Sequence, residues 1–126
     1  MSHPFILALA RVLLASIFIV LGGVRLLGAA GVGPLAGTVL SNGALLFSAF
    51  ELVVGLLIAF GWQVRWLALL MAAFLIVDAV LSHAFWQYSD AAQHAQILHF
   101  FKNLCAVGGL LLLAATSRHA RQGRGR

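Results

Sequence analysis

Four apolar runs, at about residues 5–27, 43–60, 66–86 and 97–115, take up most of a chain of 126 residues. Each is close to the roughly 20 residues that an α-helix needs to cross the hydrocarbon core of a bilayer. No water reaches backbone N–H and C=O groups in that core, so a spanning segment must be a helix or part of a closed barrel. Barrel strands would alternate apolar and polar residues over about ten positions, which these runs do not. The expected fold class is therefore all-α: an integral membrane four-helix bundle with short loops. With 63% hydrophobic and 9% charged residues, the chain lies far from the soluble range. Little length remains for a catalytic domain outside the membrane.

The segments between the runs suggest how the helices are arranged. The first run could be a signal peptide, because a basic start, an apolar stretch and the small residues Gly28, Ala29 and Ala30 occur in that order. Arg25 stands just before those small residues and three more spans need a partner, so an uncleaved first helix is expected. Arg11, Phe18 and Arg25 recur by sevens, which puts them near one face, with Gly22 one turn before Arg25. Residues 28–42 are rich in Gly and contain Pro34, reading as a loop or a short interfacial segment. In the second run Ala44, Ser48, Glu51 and Gly55 share a stripe of the small kind that lets membrane helices approach closely. Gly61 to Arg65 reads as a tight turn with an interfacial tryptophan. Residues 87–96 read as a polar loop.

Four spans place both termini on one side. Arg65 and the tail arginines Arg118, Arg121, Arg124 and Arg126 fall on that side, while residues 87–96 carry no Lys or Arg. The positive-inside rule then makes both termini cytoplasmic. This divides the chain into a transmembrane domain at residues 1–115 and a basic tail at 116–126. The formal charge of +5 owes half of its eight basic residues to that tail, which suits anionic lipid rather than nucleic acid. Cys105 is the one cysteine, so no intrachain disulfide can form.

Ionisable groups inside membrane spans are costly and invite a functional or structural reason. With the first run ending near Arg25, two cations, Arg11 and Lys102, and two anions, Glu51 and Asp78, lie inside the runs. At a rise of about 1.5 Å per residue, Arg11 would lie about 9 Å and Glu51 about 14 Å above the cytoplasmic edge. Asp78 and Lys102 would lie about 18 and about 22 Å up. These depths predict two pairs, Arg11 with Glu51 as a structural ion pair and Asp78 with Lys102. In the outer half, Asp78, His83, His99, Lys102 and Asn103 are expected to surround a small polar cavity. There Lys102 and a histidine could donate to a quinone carbonyl. His83 lies about 140° around the helix from Asp78, which makes it the weakest member. The spacing of His94 and His99 is a poor match to a metal clip, and no metal site is expected. Phe85 and Trp86 fit an aromatic belt.

Four stretches taken together resemble the DoxX family of small membrane proteins. They are Gly22-Gly-Val-Arg25-Leu; Glu51-Leu-Val-Val-Gly55-Leu-Leu-Ile-Ala-Phe-Gly61 followed by Arg65; His83-Ala-Phe-Trp86; and His99-Phe-Phe-Lys102-Asn103 with Gly108-Gly109-Leu-Leu. The resemblance implies a four-helix protein of the bacterial cytoplasmic (inner) membrane, with Glu51 and Lys102-Asn103 at recurrent polar positions. Arg25 stands where many members have lysine. The resemblance also implies an accessory role in quinone- or thiol-linked membrane redox chemistry, with a bound quinone or a redox partner protein supplying electrons. The chain itself contains no dinucleotide fingerprint, haem attachment motif or cysteine pair. The alternatives are a non-enzymatic membrane scaffold or assembly factor, and a small proton-coupled transporter.

Overall fold

In the computed structural model, residues 3–122 are described, with side chains over 4–117. Among these residues the chain is all-α. The helices are α1 (His3–Ala29), α2 (Asn42–Phe60), α3 (Val64–Ser82) and α4 (Asp90–Gln122), with a 3-10 turn at Phe85–Gln87. Four stretches are long and apolar enough to cross a membrane: Pro4–Ala29, Asn42–Phe60, Val64–Gln87 and Asp90–Ser117. The chain divides into two compact units, Met1–Gln63 and Val64–Arg126, each a helical hairpin.

In the first hairpin the expected faces are the buried ones. Phe18 and Gly22 are buried on α1, joined there by Ala15, as are Ser48, Glu51 and Gly55 on α2, while Arg11, Arg25 and Ala44 of the expected stripes are half-buried. Two glycines bring the helices together. A Cβ at Gly22 would stand 2.6 Å from the Ser48 carbonyl oxygen, and one at Gly55 would stand 2.9 Å from the Ile19 side chain. These contacts fix the register: Gly22 lies beside Ser48 and Leu52, Gly55 beside Phe18 and Ile19, and Arg11 beside Gly61. Helix α1, at 27 residues, therefore overshoots the end of α2, which has 19.

The segment joining α1 and α2 is a compact turn system. The Gly28 carbonyl accepts from the Gly31 and Gly37 N–H groups at 3.0 and 3.2 Å. Gly31, Gly33 and Gly37 have φ of 81°, 84° and 84°, a region that suits residues without a Cβ. Ser41 caps α2, its side chain accepting from the Ala44 N–H at 3.2 Å. At the other end Gly61 (φ 89°) terminates the helix, with its N–H on the Ile58 carbonyl and the Trp62 N–H on the Leu57 carbonyl. This is the paired Schellman arrangement, which satisfies two otherwise orphaned carbonyls.

In the second hairpin Val64, Ala68, Met71, Ala72, Leu75 and Ala79 form the buried seam of α3. Val107, Leu110, Leu113 and Ala114 are buried on α4. The boundaries differ from the sequence expectation at both ends of α4. The stretch expected as a loop over residues 87–96 is helical from Asp90 onward, and the helix continues to Gln122 rather than stopping at 115. Residues 91–96 are three alanines among Gln and His, polar enough to lie outside the hydrocarbon yet good helix formers. Polarity there marked the end of the apolar span, not the end of the helix. The expected tail begins inside α4; the side chains of Arg118 and Arg121, and all of Arg124 and Arg126, lie outside the described residues.

Candidate functional site

Two groups of polar side chains lie within the spans, one in each hairpin. In the first, Arg25 Nη1 donates to Glu51 Oε2 at 2.7 Å. The carboxylate is almost enclosed, its side chain 6% exposed, whereas the Arg25 side chain is 38% exposed. Such a pair removes a bare charge from the interior and fastens α1 to α2. The expected Arg11–Glu51 pair is thereby corrected. The Arg11 guanidinium lies against Gly61, Nη1 being 3.0 Å from where a Cβ would be, and its Nε is buried with no hydrogen-bond partner. Gly61 is ten residues beyond Glu51, about 15 Å along the helix. The depth argument assumed that the start of α1 is level with the end of α2, whereas α1 overshoots. Arg11 instead places its cation beside the C-terminal end of α2, where the helix dipole is negative.

The second group sits where α3 ends. Asp78 Oδ1 accepts from Ser82 Oγ at 2.8 Å, and Oδ2 accepts from Asn103 Nδ2 at 2.9 Å. His83 leaves the helix with its N–H still on the Ala79 carbonyl at 3.2 Å, and its ring turns back. Nδ1 lies 2.8 Å from Gln96 Oε1, and Nε2 lies 3.8 Å from Asp78 Oδ2. The ring stacks on His99, with centroids 5.1 Å apart and planes 20° from parallel. Gln93 Nε2 donates to the Phe85 carbonyl at 3.3 Å, tying α4 to the 3-10 turn. Around this turn Phe85, Trp86, Phe100 and Phe101 meet largely edge to face, for example Phe85 and Phe100 at 5.3 Å.

Of the five residues expected to gather here, Asp78, His83, His99 and Asn103 do. His83 joins because α3 stops at Ser82, so the 140° that a continuous helix would impose no longer applies. Lys102 does not pair with Asp78, which is a second correction. Asn103 faces α3, and a step of one residue turns Lys102 about 100° away from it. Lys102 and His99 are exposed, whereas Asn103 and Gln96 are half-buried. Ser82 went unnoticed in the sequence, although its spacing of four from Asp78 is the one that lets two side chains meet on a helix. Gln96 was visible only as the last residue of the polar stretch expected as a loop. Among the described residues no three His, Cys, Asp or Glu side chains stand close enough to hold a metal ion.

Comparison with known proteins gives this architecture its family. The chain is similar to inner membrane protein YphA of Escherichia coli (strain K12), 29% identical over 119 residues, or 91% of this chain and 85% of the relative. It is also similar to inner membrane protein YqjF of the same organism, 36% identical over 109 residues, covering 85% and 80%. No solved structure matches. With four spanning helices and these relatives, the chain is a multi-pass protein of the inner membrane. The DoxX resemblance is overturned, because the family model that matches, over residues 2–119, is a different one. The stretches that carried the resemblance combine close-packing glycines with polar residues near helix ends, features that small membrane bundles share for physical reasons. What the match does establish is that the chain belongs to the SURF4 family.

Proposed function

We propose that this chain is a non-enzymatic scaffold or assembly factor of the inner membrane, working through its exposed helix surfaces. The observation that carries this reading is that the carboxylates in the spans are engaged inside their own hairpins. Glu51 is held by Arg25, and Asp78 by Ser82 and Asn103. Groups bonded in this way serve to specify helix pairing. The redox role drew its warrant from the DoxX resemblance and loses it with that family. A site-specific photo-crosslinker placed at exposed positions such as Leu46, Leu81 and Leu112 tests the scaffold reading in intact membranes. The expected result is a discrete polypeptide adduct from one face and lipid adducts elsewhere. Lipid adducts from every position would overturn it.

The second reading is a small polar ligand, a quinone among them, in a cavity beside Asp78, His83, His99 and Asn103. The stack of His83 on His99 favours it, since two imidazoles side by side can offer donors to a carbonyl. Titrating a quinone analogue against the purified chain decides the matter. Tight binding abolished by His99→Ala supports this reading, and no binding leaves the scaffold.

A further inference from the structure

We propose that Lys102 and His99 form a binding site for the phosphate of an anionic membrane lipid, in the leaflet at the α3–α4 loop end of the second hairpin. The two residues lie three apart on α4, the spacing that makes side chains neighbours on a helix surface, and both are exposed. The nearby acid is already committed. Asp78 accepts from Ser82 and Asn103 on the face that α4 turns toward α3. Lys102 is left, among the described residues, without a hydrogen bond or ion pair. A lysine within a spanning helix and without a counter-charge is costly, and such residues normally extend to the polar edge of the bilayer.

Depth permits that here. Asn103 is bonded to Asp78, which lies four residues, about 6 Å, from the last residue of α3. Lys102 is therefore about one turn inside the end of the span, and its four-carbon stem can carry the ammonium to the headgroup level. A phosphate suits the pair: lysine meets it as a point charge, and an imidazole N–H adds a directed donor. Leu98 and Phe101, 53% and 52% exposed, flank the two residues and offer apolar surface to acyl chains. Trp86, 54% exposed on the adjacent 3-10 turn, is an aromatic of the type that settles at headgroups.

Native mass spectrometry of the full chain tests this, using detergent micelles doped with equal amounts of phosphatidylglycerol and phosphatidylcholine. The expected result is retention of phosphatidylglycerol, reduced about fivefold in Lys102→Met, reduced less in His99→Ala and kept in Lys102→Arg. Excess inorganic phosphate should not displace it, because only a membrane-anchored anion is delivered to that depth. Equal retention by wild type and Lys102→Met would overturn the proposal. So would displacement by inorganic phosphate, which would indicate a free-anion site, or complete loss in Arg65→Met, which would put the lipid at the other end of the hairpin. Helical content by circular dichroism separates a binding defect from misfolding.

Discussion

Gly22 has the Ser48 carbonyl oxygen and the Leu52 amide nitrogen 2.6 and 2.9 Å from where a Cβ would sit. Both are backbone atoms and cannot rotate away, so Gly22→Ala must push α1 and α2 apart. The expected cost is roughly 1–3 kcal/mol, the range for overpacking, read as a lower denaturation midpoint in mixed micelles. Gly108 has nothing within 4 Å of its Cβ position, so Gly108→Ala should be neutral or stabilising by up to about 1 kcal/mol through helix propensity. Equal midpoints for the two variants would refute the close approach. The ion pair makes a second prediction. Arg25→Met takes the cationic partner from an almost enclosed carboxylate at a cost below the roughly 3–5 kcal/mol of a fully buried pair, because Arg25 is itself 38% exposed. Arg25→Met with Glu51→Gln should be less damaging than the sum of the two, whereas Arg11→Met with Glu51→Gln should be close to additive. The reverse pattern would restore the pairing expected from sequence depth. Arg25 was visible in the sequence as a member of the right face, but depth counted from the ends of apolar runs could not rank it above Arg11.

Helix boundaries are the next scale, and here α4 is the instructive element. Its apolar span was legible from composition, but its first two turns were not, because a polar, alanine-rich stretch can be loop or helix with equal hydropathy. The Gln93 N–H bonds the Ser89 carbonyl at 3.2 Å, so the i to i−4 ladder is already running before the apolar span begins. Amide exchange should accordingly be slow at residues 94–96 and fast at Gly33 of the first hairpin, whose N–H, unlike those of Gly31 and Gly37, makes no backbone bond within the turn. Exchange at residues 94–96 as fast as at Gly33 would return the helix start to residue 97. The same early start lets Gln93 reach the Phe85 carbonyl and Gln96 reach His83. In a loop, neither contact would have a fixed geometry. Asn103→Leu should weaken the second hairpin by about 1–3 kcal/mol in the mixed-micelle assay, because Asp78 Oδ2 loses a donor in a partly enclosed setting. A midpoint equal to wild type would mean that the Asp78–Asn103 bond does not hold α3 to α4.

For the whole molecule the open quantity is orientation. Arg65 lies in the first turn of α3, next to the α2–α3 connection, with its guanidinium 4.8 Å from the Trp66 ring, a pairing suited to the membrane interface. The connection between α3 and α4, residues 83–89, contains no Lys or Arg. On the positive-inside rule we propose that both termini are cytoplasmic and that this connection lies outside. Reporter fusions after Arg126 and at Ser89 should show cytoplasmic and external activity respectively. An external C-terminus would sink this orientation and move the proposed lipid site to the inner leaflet.

Spanning character and buried faces were determined by the sequence alone. Transfer into hydrocarbon is additive along a run, and the 3.6-residue period places Ala15, Phe18 and Gly22, or Ser48, Glu51 and Gly55, on one side of a helix whatever the helix meets. Which charge meets which was decided only in three dimensions. Partnership depends on the register between helices, and that register was fixed by backbone approach at Gly22 and Gly55 and by how far α1 overshoots α2. A single residue's step decided the site of the second hairpin in the same way, turning Asn103 toward Asp78 and Lys102 away. His83 entered that site because α3 ends one residue before it, a boundary set by the turn and its contacts with α4 rather than by hydropathy.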